Sequence, residues 1–233
     1  MMTYRNKDLF YLAVDCVIFG YENYKLKLLL QPRPIQPSKG KWALMGGFCG
    51  HDESLEVAAN RVLENTTGLT DIYMKQVQAF SAPDRDPGGH VVSVGFFALI
   101  NIRDYDDNLL KQYGAQWFSI EEIPKLIFDH ADIVEKAMLR LRRTAKIQPI
   151  GFELLPENFT ITQLRNLYEA IYQCTLDPAN FRRKIMSMKL LDRLSVKDKN
   201  SSRKGAYLYS FNQEKYENLT AQGFSFDISH AQM

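Results

Sequence analysis

The chain has 233 residues, of which 45% are apolar, and a formal net charge of +2. This composition excludes an intrinsically disordered chain, and the length suits one large domain or two small ones. Three widely spaced cysteines exclude a disulfide framework, and no apolar run approaches the roughly 20 residues that cross a bilayer, so we expect a soluble cytoplasmic protein without a membrane partner.

The first 50 residues predict a strand hairpin that leads into a glycine turn. Residues 9–20 and 24–30 are rich in β-branched and aromatic side chains, which is typical of buried strands. A proline-rich loop over residues 31–41 then delivers the chain to Gly46 and Gly47. Glycine allows the backbone to turn tightly and to approach a ligand closely.

A helix is predicted directly after this turn. Apolar residues recur there at helical spacing, and Gly68 ends the pattern, as glycine commonly does just past a helix. Loop and helix together resemble the Nudix box, the phosphate-hydrolysing motif of the Nudix family. The residues that match this motif in register are Gly47, Glu53, Arg61, Leu63, Gly68 and Leu69.

The same motif lacks most of the carboxylates that hold magnesium in Nudix hydrolases. Val62, Asn65 and Thr66 stand where that family has glutamate. Glu64 is no substitute, because one helical residue is a turn of roughly 100° and carries its side chain away from the metal side. We therefore expect an inactive scaffold with no catalytic residues, no metal and no cofactor. The alternative is a divergent site that uses Asp52, Glu53, Glu56, Asp84 or Asp86.

Strands are predicted over residues 73–80 and 91–102, on either side of a polar loop. The loop resembles the Asp-Arg-Asp-Pro-Arg segment of Nudix enzymes that handle ADP-ribose and related sugar nucleotides. Its side chains can hydrogen-bond the hydroxyls of a sugar, or the loop can be a capped surface turn. We assign effector binding to Trp42, Gly46, Gly47, Asp84, Arg85, Asp86 and His90.

The remainder of the first half predicts a strand at 116–119, a short helix at 120–126 capped by Ser119, and an amphipathic helix at 132–145. Strands wrapped around one or two helices predict an α+β fold with an α/β/α sandwich, as in Nudix domains. We place the first domain at 1–148 and a second domain at 149–233.

The second half predicts a helix, a turn, a second helix and a β-hairpin. Thr160 is positioned to cap the first helix, and Asp177 followed by Pro178 opens the second. Strands at 190–196 and 206–211 form the hairpin. This order of elements is that of a winged helix-turn-helix domain.

Basic charge is concentrated in this second half. Residues 178–205 contain nine Lys/Arg against two Asp/Glu, whereas residues 1–150 contain 18 of each. Such a patch is the usual footprint of a nucleic-acid site, although a charge run can also be a solvated face. We assign DNA binding to Asn180, Arg182, Arg183, Lys184, Arg203 and Lys204.

The whole chain resembles the Nudix-related transcriptional regulators, which join an inactive Nudix domain to a winged helix. The segments that carry this resemblance are residues 42–48, 84–87, 128–130, 159–164 and 180–184. The resemblance implies a homodimer that binds double-stranded operator DNA and releases it when a small-molecule sugar effector binds. We expect the predicted helix at 132–145 to transmit the effector signal, since it alone connects the two domains.

Two branches of that family sense different effectors. The AraR type senses L-arabinose or a similar pentose, and Met45 before the glycine pair favours this branch, as does the degenerate Nudix box. A repressor of carbohydrate metabolism is therefore our first hypothesis. The second is the NrtR type, which senses ADP-ribose and predicts a cationic groove near Arg33, Lys41 or Arg85. The third is a divergent Nudix pyrophosphohydrolase.

Overall fold

The computed structural model describes residues 9–105, 107–199, 205–224 and 226–228, without the side chains of 107–109. The described chain divides into two compact units. One holds the residues up to Gly20 and Lys27–Leu139, and the other holds Tyr21–Leu26 and the residues from Arg140 onward. The division falls inside the helix His130–Ile147, whose end coincides with the predicted domain boundary.

The first unit is built on a β-sheet with a buried central strand. Its strands are β1 (Tyr11–Glu22), β2 (Lys25–Pro32), β3 (Trp42–Ala43), β4 (Met45–Phe48), β5 (Lys75–Phe80), β6 (Val91–Asn101) and β7 (Gln116–Ser119). The main order is β3-β2-β1-β6-β5, while β4 pairs with β1 and β7 pairs with β2. Residues of β1 are buried on both faces over most of its length, which explains its nearly continuous apolar sequence.

Helices cover both faces of this sheet, as the sequence predicts. They are α1 (Leu55–Thr67), α2 (Asp107–Gln112) and α3 (His130–Ile147). Phe96 of β6 lies in one apolar cluster with Val62 of α1. Its neighbour Gly95 faces Ile133 of α3, since a Cβ placed there would lie 3.3 Å from the isoleucine Cγ2. Successive strand residues point to opposite faces, so α1 and α3 lie on opposite sides of the sheet.

The second unit has the predicted winged-helix order. Its elements are α4 (Ile161–Tyr172), α5 (Pro178–Ser187), β8 (Leu191–Asp198), β9 (Ala206–Phe211) and α6 (Gln213–Ala221). Thr160 and Gln163 form a reciprocal capping box at the start of α4. Asp177 caps α5 by accepting from the Asn180 amide, and Pro178 occupies the first helical position. Both helix starts therefore follow from local hydrogen bonds.

The predicted helix at 120–126 is wrong. Only a 3-10 turn spans Ile120–Glu122, and the Ser119 side chain makes no capping hydrogen bond. Pro124 disfavours helical backbone at Ile123, so the turn cannot extend. The short helices α2 and α6 were not predicted. None of the helices in the described ranges is long and apolar enough to cross a membrane.

Candidate functional site

A cavity of about 110 Å³ opens in the first unit, beside β1 and β4. Four of the seven predicted effector residues line it, namely Gly46, Gly47, Arg85 and Asp86. The other three do not line it. Trp42 packs its ring edge-on against Phe118, His90 packs against Phe10, and the side chain of Asp84 is exposed. The fold thus brings together the glycine pair and part of the polar loop.

The two glycines line the cavity as part of a strand and not as the predicted turn. Gly46 and Gly47 lie within β4, where they pair with Asp15 and Val14 of β1. A Cβ at Gly46 would lie 2.5 Å from Asp15 Oδ1, and a Cβ at Gly47 would lie 2.7 Å from Val62 Cγ2. Glycine is required here because neighbouring side chains approach the backbone closely.

A buried ionic cluster forms one wall of the cavity. Arg85 donates from Nε and Nη2 to the two carboxylate oxygens of Asp129, each at 2.8 Å, and from Nη2 to Asp15 Oδ2 at 3.4 Å. Ser93 also donates to Asp15 Oδ2, at 2.6 Å. The Arg85 side chain is only 3% exposed. Its charge is therefore satisfied by the protein, as a buried guanidinium requires.

His130 joins this cluster as a neutral side chain. Burial lowers the pKa of His130 from its ordinary value of 6.5. Its Nδ1 accepts a hydrogen bond from the Leu44 amide at 3.0 Å, which assigns the proton to Nε2. Nε2 lies 3.7 Å from Asp15 Oδ1. The fold thereby places this histidine in the cavity wall.

Arg33 is a second arginine in the cavity wall. It lines the cavity, and its guanidinium carbon lies 5.0 Å from the centre of the Phe128 ring. Within the described part of the chain, its buried Nε has no hydrogen-bond partner. Phe128 itself has a φ of +47°, a sparsely populated conformation for an aromatic residue. Lys41, the third predicted cation, is exposed and does not line the cavity.

Two matching residues of the Nudix box, Arg61 and Glu53, stabilise the box loop through their hydrogen bonds. Arg61 donates to both carboxylate oxygens of Glu53, at 2.9 Å and 2.5 Å, and to the Phe48 carbonyl at 3.0 Å. Glu53 also accepts from the Gly50 amide at 2.6 Å. The carboxylate is thereby occupied on both oxygens.

The acids of this region do not form a magnesium site. Glu64 is exposed and lines a separate cavity with Asp71, and Glu56 accepts a hydrogen bond from Gln76. Across the described ranges, no group of three His, Cys, Asp or Glu side chains is placed to hold a metal. The residues present therefore do not fit the magnesium chemistry of Nudix hydrolases.

We predict a pH signature for the Glu53–Arg61 pair. Hydrogen bonds from Arg61 and from the Gly50 amide lower the pKa of Glu53 from 4.5 to about 2. A lowered folded-state pKa means that the ionised carboxylate stabilises the fold fully above about pH 4.5 and loses this effect as the pH falls toward 2. The melting temperature of Glu53→Gln should therefore lie below that of wild type at neutral pH and converge with it in acid. A difference in melting temperature that stays constant down to pH 2 would contradict the assignment. The same pH-dependent difference in Glu121→Gln would also contradict it.

The second unit presents basic side chains from the middle to the last turn of α5. Arg182 and Arg183 are exposed and Lys184 is half-buried. Arg183 Nη2 donates to Asn180 Oδ1 at 2.7 Å, and Arg182 Nη2 donates to the Tyr209 hydroxyl at 3.3 Å. These contacts orient both guanidinium groups. Arg203 and Lys204 lie outside the described residues.

The wing carries a basic cluster that the sequence did not single out. Arg193 and Lys197 of β8 lie 4.7 Å and 4.6 Å from the centre of the Tyr207 ring on β9. Two cations on one exposed ring form a compact positive surface. The signal in the sequence was the alternation of basic residues along β8, which was interpreted only as part of the total charge of residues 178–205.

Two protein families match the chain. Residues 9–138 match the NUDIX domain, and residues 151–211 match the NrtR DNA-binding winged helix domain. A relative from Acinetobacter baylyi, the ADPR responsive transcriptional repressor NtrR, is 33% identical over 210 residues, which cover 88% of this chain and 84% of the relative.

Two solved structures extend this similarity. Shewanella oneidensis NrtR in complex with a 27mer DNA has a TM-score of 0.74 and 29% identity, covering 92% of this chain and 97% of that one. The NUDIX domain of the same protein, in complex with ADP ribose, has a TM-score of 0.50 and 32% identity, covering 59% of this chain and 94% of that one.

Proposed function

The chain belongs to the NrtR-type regulators, DNA-binding proteins in which a Nudix domain precedes a winged helix, and we propose that it is a repressor that releases operator DNA when ADP-ribose occupies the cavity. The relatives support ADP-ribose, the second of our hypotheses, and none of those described above supports L-arabinose or carbohydrate metabolism. The predicted homodimer stays a prediction.

The Nε of Arg33, which has no hydrogen-bond partner among the described residues, is the observation that carries this proposal. ADP-ribose has a diphosphate, whereas a free pentose has no charge to neutralise. Arg85 already donates from Nε and Nη2 to Asp129 and Asp15. Arg33 lines the same cavity with its Nε unbonded among the described residues. Guanidinium is the side chain best matched to phosphate, which it binds through two parallel hydrogen bonds.

We propose that ADP-ribose is sensed without being cleaved. Hydrolysis in a Nudix site needs carboxylates that hold magnesium against the diphosphate. Val62 is buried where the family has its first helix glutamate, and Asn65 and Thr66 replace the next pair. Glu53, the remaining acid of the motif, is held by Arg61.

The proposal is tested by calorimetric titration of the full chain with ADP-ribose and with L-arabinose, each with and without magnesium. We expect binding of ADP-ribose alone, with no magnesium requirement and no release of AMP. Arg33→Ala should raise the Kd of ADP-ribose roughly 10- to 150-fold, since a hydrogen bond to a charged group contributes about 1.5–3 kcal/mol.

Lys41→Ala is the matched control. It also removes one positive charge, but the Lys41 side chain lies outside the cavity.

Release of DNA by ADP-ribose is measured with a DNA probe that the wild-type chain has selected from a random-sequence pool. Binding of arabinose but not of ADP-ribose would restore the pentose hypothesis. Magnesium-dependent formation of AMP would restore the hydrolase.

A further inference from the structure

We propose that Phe48 and Tyr11, an exposed aromatic pair at the mouth of the cavity, stack against the base of a purine nucleotide effector. This inference rests on the proposed function and assigns the base-binding half of the site. The two rings lie 5.5 Å apart with an interplanar angle of 48°. Phe48 is 52% exposed and Tyr11 is 61% exposed, although both lie beside a buried core.

Side chains alternate between the two faces of β1, and this alternation places the pair on the same face as residues that line the cavity. Tyr11, Ala13 and Asp15 share one face of the strand, because successive side chains point to opposite faces. Ala13 and Asp15 line the cavity, and Tyr11 continues the same row outward. Phe48 pairs directly with Ala13 across β4, so its ring emerges on the same face.

The cavity is small for a nucleotide. Its volume is about 110 Å³, below the roughly 300–1,000 Å³ of typical ligand pockets. Because the cavity is open on one side, a nucleotide that occupies it extends past the mouth. Asp15 lies four positions along β1 from Tyr11, a distance of about 13 Å at the usual rise per residue.

The chemistry of the mouth suits a base and not a phosphate or a sugar. Phe48 has no polar side-chain group, and Val91, which also lines the cavity, is apolar. The charged lining residues include Arg33, Asp15 and Arg85, and the last two are buried. Aromatic rings bind bases through their π-faces regardless of hydrogen-bonding pattern. The site is thus divided between a polar interior and an aromatic entrance.

Calorimetric titration of the full chain with ADP-ribose and with ribose 5-phosphate tests this inference, because the second ligand lacks the base. Phe48→Ala should raise the Kd of ADP-ribose roughly 5- to 150-fold, the usual effect of removing one stacking ring, and leave the affinity for ribose 5-phosphate unchanged. Tyr11→Ala should act in the same direction, and Phe48→Trp should retain wild-type affinity. Tyr73→Ala is the control, since Tyr73 is 81% exposed and lies outside this cavity.

An unchanged Kd in Phe48→Ala, or an equal loss for both ligands, would overturn the stacking role. A change in oligomeric state by light scattering, with ADP-ribose affinity intact, would assign the patch to contacts between copies and overturn it as well. If wild type binds no ADP-ribose, the proposed function fails, and AMP takes the place of ADP-ribose in the same variants. A wild type that binds neither nucleotide overturns both proposals.

Discussion

Replacing Arg182 and Arg183 together with alanine is expected to weaken DNA binding at least roughly 30-fold. Each bidentate contact of arginine with a base contributes about 1–3 kcal/mol, and 1.4 kcal/mol is tenfold in affinity. Both side chains are exposed at the middle of α5, which has the position of the recognition helix that lies in the major groove. Arg183 is further oriented by Asn180, at 2.7 Å.

Fluorescence anisotropy at fixed salt measures this effect, with DNA selected by the wild-type chain as the probe. The double variant Arg140→Ala/Arg143→Ala removes the same charge from exposed positions on α3. An equal loss in both double variants would indicate a purely electrostatic contribution. Unchanged affinity in Arg182→Ala/Arg183→Ala, with the melting temperature preserved, would remove these residues from the interface.

Asp129→Ala is expected to lower the free energy of unfolding of the first unit by about 3 kcal/mol. The change leaves the guanidinium of Arg85 buried with only the 3.4 Å contact to Asp15, and breaking a buried ion pair typically costs about 3–5 kcal/mol. The remaining contact to Asp15 places the expected effect at the lower end of that range.

Urea denaturation measures this loss, with Asp132→Ala as the control. Asp132 is an exposed acid in the first turn of α3, three residues along the chain. A loss below about 1 kcal/mol in Asp129→Ala, the usual range of an exposed pair, would show that the cluster contributes little. Asp129 lies directly before the first residue of α3. The role of α3 in transmitting the effector signal stays a prediction.

Local signals in the sequence predicted most of the secondary structure. The capping box of Thr160 and Gln163, the Asp177 cap and the glycine that ends α1 each act within about four residues, so the sequence contains both partners. The helix expected at 120–126 was wrong because Pro124 outweighed the favourable cap and acidic first turn. The glycine pair was assigned to a turn because glycine permits both a turn and a close approach, and the sequence alone does not distinguish them.

The residues of the cavity wall were predicted only in part, because their contacts join distant segments. Arg85 meets Asp129 across 44 residues and Asp15 across 70. Asp15 was not selected, although a carboxylate inside an apolar strand is an unusual feature that signals a buried partner. The polar loop suggested Asp84 and His90, and Trp42 was proposed with them, yet none of the three lines the cavity.

The sequence by itself determined the order of elements, the two domains and the basic character of α5. These properties depend on periodicity, caps and local composition, all of which act over short stretches of chain. Only the tertiary structure decided which arginine of the cavity wall is paired inside the protein. The sequence offered both Arg33 and Arg85 as cations for a diphosphate, but the fold surrounds Arg85 with two carboxylates and leaves Nε of Arg33 unbonded within the described chain. The reason is that a buried charge must be paired, and its partners come from segments that meet only when the chain is folded.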